Sequence, residues 1–207
     1  GSFISKDGLI ITNHHCVFGS VAAVSSPDQD YLTKGFYSDQ RLKEIPVKDL
    51  TVKITLSYED VSAKVLDKAK SIADPNKKIE AIRASINQIQ KEENEKNPGL
   101  SCEVSEMFTG KTYYLFRYQT IQDIRLVYVP PRNIGEFGGE SDNWVWPRHT
   151  GDFSIVRAYV SKDGKPAPYS PDNIAFNPKR ILKIDFDGAQ ENDFAFVLGY
   201  PGRTFKN

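Results

Sequence analysis

Short apolar runs, each closed by a turn signal, fill the second half of the chain and restrict it to a fold built from sheets. Residues 111–118 and 121–129 are adjacent β-rich runs. Residues 153–160 form another, followed by Ser161-Lys162-Asp163-Gly164. Residues 181–186 alternate in polarity ahead of Asp187-Gly188, and residues 194–198 read as a buried strand running into Gly199-Tyr200-Pro201-Gly202. Earlier, Leu50, Val52, Ile54 and Leu56 alternate with Thr51, Lys53 and Thr55, the period of a half-buried strand. Strands this short, separated by turns, suggest a β-barrel or a sandwich.

One long helical signal interrupts this pattern, at residues 58–96. Val61, Val65, Ala69 and Ile72 recur at spacings of three and four, and Ile79, Ile82, Ile86 and Ile89 continue them. Between the two sets stands Asp74-Pro75, where Asp suits an N-cap and Pro the first turn of a new helix. Asn97-Pro98-Gly99 is a stop. The expectation is a helical hairpin or kinked pair that packs one apolar stripe on the body, favoured over a partner-binding helix. Residues 17–50 show no clear amphipathic period. Within them Val21-Ala22-Ala23-Val24 fits a short helical turn or a strand, and residues 31–37 an ordered loop.

Composition narrows the function classes. A hydrophobic fraction of 39% with 12% aromatics over 207 residues suits a globular chain with a real core. Lys+Arg and Asp+Glu both number 27, so no basic field points to nucleic acid. No apolar run is long enough to span a bilayer, and no signal-peptide pattern is present. The chain starts inside a strand-like pattern and stops abruptly, which leads us to expect an excised part of a longer protein. Two cysteines, Cys16 and Cys102, do not make a disulfide scaffold.

Chemistry-bearing residues concentrate in two places. Leu9-Ile10-Ile11 reads as a core strand, fed by the turn at Gly8, and it delivers Thr12-Asn13-His14-His15-Cys16. A rigid strand ending in an imidazole suits a general base. A pair of histidines in a surface turn, one of them satisfying a carbonyl, is the plainer alternative. The second place is residues 138–152, Gly-Gly-Glu-Ser-Asp-Asn-Trp-Val-Trp-Pro-Arg-His-Thr-Gly-Asp, with both tryptophans of the chain. Ordering so many large groups is entropically expensive, which argues against a plain connector; Trp144 and Trp146 plugging a barrel end is the structural alternative. Asp152 enters the apolar run Phe153-Ser154-Ile155-Val156. A carboxylate there is partly desolvated and needs a cationic or N–H partner. His15 is the candidate; Asp142, on the polar loop, is the competitor. A metal site using His14, His15 and His149 is disfavoured, because adjacent histidines seldom address one ion. No Gly-rich phosphate loop and no Gly-x-Ser-x-Gly motif occurs.

Thr12-Asn13-His14-His15-Cys16 resembles the stretch around the catalytic histidine of chymotrypsin-like serine peptidases, where the histidine directly before the cysteine is the base. The double histidine is a feature of the bacterial dipeptidyl-peptidase 7 and 11 family. Asn143-Trp144-Val145-Trp146-Pro147-Arg148-His149-Thr150-Gly151-Asp152-Phe153-Ser154 closely resembles the same family. So do Phe137-Gly138-Gly139, Gly164-Lys165-Pro166 and Gly199-Tyr200-Pro201-Gly202-Arg203-Thr204, which extends the match over nearly the whole chain.

The resemblance implies a serine exopeptidase that releases dipeptides from peptides with a free amino terminus, without metal or cofactor. In it His15 is the base, Asp152 the acid of the triad, and Asn143 and Trp144 hold the substrate amine. A carbonyl acceptor and an aromatic wall suit an ammonium group, the latter adding roughly 0.5–2 kcal/mol. The nucleophile and oxyanion loop come later in the family, so the chain alone is expected to be inactive. The implied fold is mostly β, a chymotrypsin-like (trypsin-like) β-barrel with an inserted helical pair, truncated before the second barrel is complete. Residues 1–57 and 99–160 would form the first barrel, 58–98 the helical insertion, and 161–207 a linker and the opening strands of the second barrel. The resemblance further implies a disulfide partner for Cys16 ahead of Gly1, a periplasmic or cell-surface location in a Gram-negative bacterium, and a homodimeric parent. A non-catalytic peptide-binding β-domain is the alternative function.

Overall fold

The alternating runs become two antiparallel sheets in the computed structural model, which describes residues 1–108, 110–139 and 149–196. The larger sheet has seven strands. Its path runs β1 (Ser2–Phe3), β2 (Leu9–Thr12), β9 (Ser154–Val160), β8 (Asp123–Val129) and β3 (Phe36–Tyr37). Alongside it, β4 (Ile45–Val47) pairs with β8 and β10 (Ile174–Ala175) with β9. The smaller sheet is β5 (Val52–Asp60), β7 (Thr112–Ile121) and β6 (Ser101–Phe108) in that order. Five α-helices accompany them among the described residues: α1 (His14–Val24), α2 (Tyr31–Lys34), α3 (Ser62–Asp67), α4 (Pro75–Lys96) and α5 (Arg132–Gly135).

Register explains the main core. Ile10 faces Val156, Val156 faces Leu126, and Leu126 faces Ile45, so one row of side chains crosses four strands. Ile10, Val156 and Leu126 are buried, and Val17 and Val21 of α1 close over the same cluster. On the alternate positions Arg125 and Arg157 stand directly opposite one another. Like charges so placed repel. Each has its own carboxylate: Arg125 bonds Asp123 at 2.7 Å, and Arg157 bonds Glu44 at 2.8 Å. Tyr159 donates its hydroxyl to the other Glu44 oxygen at 2.7 Å. Gly8 is required twice over where the chain turns into β2. Its φ is +71°, and a Cβ there would lie 2.7 Å from the Ala158 carbonyl oxygen.

A second cluster lies between the smaller sheet and the helices. Val61, Val65, Cys102, Tyr113 and Leu115 are buried in it, and Ile82, Ile86 and Ile89 pack against it. The expected punctuation is present: Asp74 accepts the Lys77 N–H at 3.0 Å with Pro75 in the first turn, and Asn97 closes α4. Polar residues of α4 also reach the β6 edge. Asn94 accepts from the Cys102 N–H at 2.9 Å and donates to the Cys102 carbonyl at 3.1 Å. Gln90 accepts from the Val104 N–H at 2.7 Å. A row of backbone groups that would otherwise template another chain is thereby occupied.

Five local expectations are corrected. Of the two readings of Val21-Ala22-Ala23-Val24 the helical one holds, and His14, His15 and Cys16, expected in a turn, belong to the same helix α1. Its buried positions are His14, Val17, Ser20 and Val21, a narrow stripe diluted by Ser20 and Gly19 and therefore weak as a periodic signal. The helical stretch starts at Ser62, because β5 continues through Asp60 opposite Tyr114. Leu56 is half exposed, since the register shifts between Thr55 and Ser57 and a bulge breaks the alternation there. Residues 181–186 form no strand: apart from a bond from the Leu182 N–H to the Phe3 carbonyl at 2.8 Å no ladder builds on them, and Ile181, Leu182, Ile184 and Phe186 are exposed. Alternation marks a half-buried strand only where a ladder and a covering layer exist, and among the described residues a single bond to the β1 edge is all that meets this stretch. Phe194 and Phe196 are likewise exposed and outside any strand. No helix among the described residues is long and apolar enough to cross a membrane.

Candidate active site

Antiparallel pairing brings together residues that are 137 positions apart. The ladder between β2 and β9 ends at Thr12 opposite Ser154. The chain leaving β2 therefore lies beside the chain arriving at β9, and Asn13 and His15 meet Asp152. His15 Nδ1 is 2.7 Å from Asp152 Oδ2. The carboxylate only accepts, so Nδ1 carries a proton, and in the neutral ring Nε2 keeps its lone pair. The same carboxylate accepts the His15 backbone N–H on Oδ1 at 3.0 Å and the Asn13 amide on Oδ2 at 3.1 Å. A second bond from that amide reaches the Asp152 carbonyl at 3.2 Å.

Electrostatics follow from this donor set. Burial pushes the Asp152 pKa up. The N–H and ring of His15, its charge, and the Asn13 amide together outweigh burial and hold the carboxyl below the ordinary range. The acid is thus ionised at neutral pH and able to stabilise an imidazolium. The His15 side chain is 67% exposed and that of Asp152 30%, so the ring opens to solvent while its partner sits partly beneath it.

The adjacent imidazole has a different environment. His14 is fully buried, and neither ring nitrogen has a hydrogen-bond partner among the described residues. Burial lowers its pKa from the ordinary 6.5, against the raising charges of Glu136 and Asp152 and together with the lowering charges of His15 and Arg132. Its ring meets Phe18 edge-on at 5.9 Å and lies against Gly135, where a Cβ would come within 2.5 Å of the imidazole. Contacts continue from there to the acid. The Ile134 carbonyl accepts the Gly151 N–H at 2.8 Å, and Thr150 Oγ1 donates to the Phe137 carbonyl at 3.0 Å. Helix α5 thus lies between the buried imidazole and the segment that delivers Asp152.

The structure brings His15 and Asp152 into contact. Asn143 and Trp144 lie outside the described residues, as do Asp142 and Trp146. Sequence reasoning missed Asn13; the signal available was a side-chain amide at the exit of a buried strand directly ahead of the histidines. Cys16 is exposed and Cys102 buried, and both are free. Among the described residues no group of three or more His, Cys, Asp or Glu is arranged to hold a metal ion. A base with a free nitrogen, an ionised orienting acid and an open ring face are suited to taking a proton from a nucleophile brought in from elsewhere.

Comparison with known proteins points the same way. The family profile described as Peptidase S46 matches residues 1–207. The chain is 46% identical over 203 residues to dipeptidyl-peptidase 7 of Capnocytophaga gingivalis, covering 98% of this chain and 28% of that protein. It is 42% identical over 211 residues to the Asp/Glu-specific dipeptidyl-peptidase of Porphyromonas gingivalis, covering 29% of it. The crystal structure of Porphyromonas endodontalis DPP11 in complex with the dipeptide Arg-Asp superposes with a TM-score of 0.79 at 37% identity, over 91% of this chain and 28% of that one. The chain therefore spans somewhat more than a quarter of the length of these relatives.

Proposed function

The chain belongs to the Peptidase S46 family, and from that premise we propose that it is the N-terminal part of a serine-type dipeptidyl-peptidase. The observation that carries this reading is the 2.7 Å bond between His15 Nδ1 and Asp152 Oδ2, on a ring whose other nitrogen has no partner among the described residues. In the proposed reaction His15 Nε2 takes the hydroxyl proton of a serine as its oxygen attacks the scissile carbonyl. Asp152 holds the ring in the productive tautomer and stabilises the imidazolium. His15 then returns the proton to the leaving amine as the C–N bond breaks, and water releases the acyl-enzyme by the same route in reverse. The serine and the oxyanion donors come from the part of the polypeptide that the chain does not span.

Asn143 and Trp144 bind the substrate ammonium in this reading, by carbonyl acceptance and by an aromatic wall. An anchor for the free amine at a fixed distance from the scissile bond explains removal of two residues at a time. Residues 1–57 and 99–160 serve as the first chymotrypsin-like barrel, 58–98 as its helical insertion, and 161–207 as the lead into a second barrel. The exposed apolar residues Leu182, Ile184, Phe186, Phe194 and Phe196 support that last assignment, being surface that a further β-layer would cover. A disulfide from exposed Cys16 to a residue preceding Gly1, a periplasmic or cell-surface location and a homodimeric whole protein complete the proposal.

Hydrolysis of a chromogenic dipeptidyl substrate tests it. The 207-residue chain alone is expected to be inactive and the complete polypeptide active. Asp152→Asn should lower kcat of the complete polypeptide by about 10⁴-fold, and His15→Ala by at least as much. Full activity in either variant, or turnover by the 207-residue chain that depends on His15, overturns the reading. A complete polypeptide that binds peptides without cleaving them favours the non-catalytic alternative.

A further inference from the structure

Asparagine at the N-cap of a helix ordinarily turns its side-chain oxygen onto the N–H of N2 or N3. Asn13 holds that position on α1, with φ −76° and ψ 151°, and makes no such bond. Its amide points at Asp152 instead, 3.1 Å from Oδ2 and 3.2 Å from the backbone oxygen. Both partners accept only, so it is the amide nitrogen, and not the carbonyl, that faces them. The helix is capped all the same. The N–H of His15, at N2, is taken by Asp152 Oδ1 at 3.0 Å. Cap and acid have exchanged tasks: the carboxylate caps the helix that carries the base, and the cap residue grips the carboxylate.

Resting on the proposed role of His15 and Asp152, we infer that Asn13 is a positioning residue of the dyad. It sets the rotation of the Asp152 carboxylate so that Oδ2 meets His15 Nδ1. That torsion is intrinsically broad for an aspartate. Three donors from residues 13–15 narrow it to one setting, two on Oδ2 and one on Oδ1. Without the amide, Oδ2 keeps a single protein donor on a side chain that solvent already reaches, and the carboxylate swings. The neutral imidazole then samples the tautomer with Nε2 protonated, which cannot accept a proton from a nucleophile.

The two roles of an N-cap asparagine separate under substitution. Asn13→Asp is an equally good cap and Asn13→Gly one weaker by only a few tenths of a kcal/mol, and neither retains the donor. The readout is the ¹⁵N shifts of the His15 ring in the 207-residue chain above its titration range, with far-ultraviolet circular dichroism as the check on folding. The wild type is expected to show one tautomer, protonated on Nδ1. Both variants should lose that single pattern while keeping helix content, with Asn13→Asp the worse because it sets two carboxylates face to face. In the complete polypeptide Asn13→Asp should lower kcat by on the order of a hundredfold with KM little changed. An unchanged ring pattern and kcat in Asn13→Asp would mean that the Asn13 amide does not set the carboxylate, and would overturn the inference. A wild-type ring already populating both tautomers overturns the dyad reading as well, and is recognised without any variant.

Discussion

Asp152 is the residue on which the most independent observations converge, and its titration is the sharpest check at this scale. The folded carboxyl lies below its ordinary pKa, so its bonds are complete above the unfolded value of about 3.9 and fade as pH falls through the folded value. Carbon-detected titration of the Asp152 carboxyl should give a midpoint below that of an aspartate in an unfolded peptide. His15→Ala should move that midpoint up, because the ring bond and the ring charge vanish while burial stays. Chemistry made a meeting of Asp152 with the histidine pair legible in advance, since a carboxylate at the mouth of an apolar strand needs a donor and an imidazole at the end of another strand offers one; the choice of His15 over His14 came with the family resemblance. The part played by Asn13 was not, because a side-chain amide carries no preference for acid over helix until the fold chooses.

Among the elements, α1 carries a built-in pH cost. His14 is buried neutral on this helix, with the charges of Glu136 and Asp152 drawing its pKa up and those of His15 and Arg132 pushing it down. Burial dominates and the folded pKa is depressed. Its contribution to stability is therefore intact above the unfolded value of about 6.5 and is lost as pH falls from there toward the folded value. Denaturant midpoints measured between about pH 7.5 and 5 should fall less in His14→Phe than in the wild type. On α4, Asn94→Ala should cost about 1–2 kcal/mol by removing both bonds to the β6 backbone at Cys102, read as a lower unfolding midpoint and faster amide exchange there. Helix α4 itself could be read from its cap, its proline and its isoleucine spacing. Helix α1 could not, since Ser20 and Gly19 blur its narrow apolar stripe. The strand expected at residues 181–186 failed because periodicity reports a face and says nothing about a neighbour.

For the molecule as a whole, burial of paired charges inside the larger sheet sets the most sensitive point outside the site. Glu44 neutralises Arg157 and accepts from Tyr159, and burial together with that bond pushes the Tyr159 hydroxyl well above its ordinary pKa. Glu44→Ala leaves Arg157 buried opposite Arg125 without its counter-ion, and should lower unfolding free energy by about 3–5 kcal/mol in chemical denaturation. That a long helix interrupts a chain of strands was legible from the two periodicities. Which strands adjoin was not, since register is a long-range choice. That choice has an evolutionary consequence. His15 and Asp152 are brought together by the short ladder between β2 and β9, whereas α3 and α4 leave and re-enter the body as a closed loop between β5 and β6 of the smaller sheet. Doubling the length of such a loop raises its closure entropy by only about 0.6 kcal/mol. Lineages are thus free to lengthen, shorten or re-equip the helical unit without disturbing His15 and Asp152, and variation in size across the family should concentrate between β5 and β6.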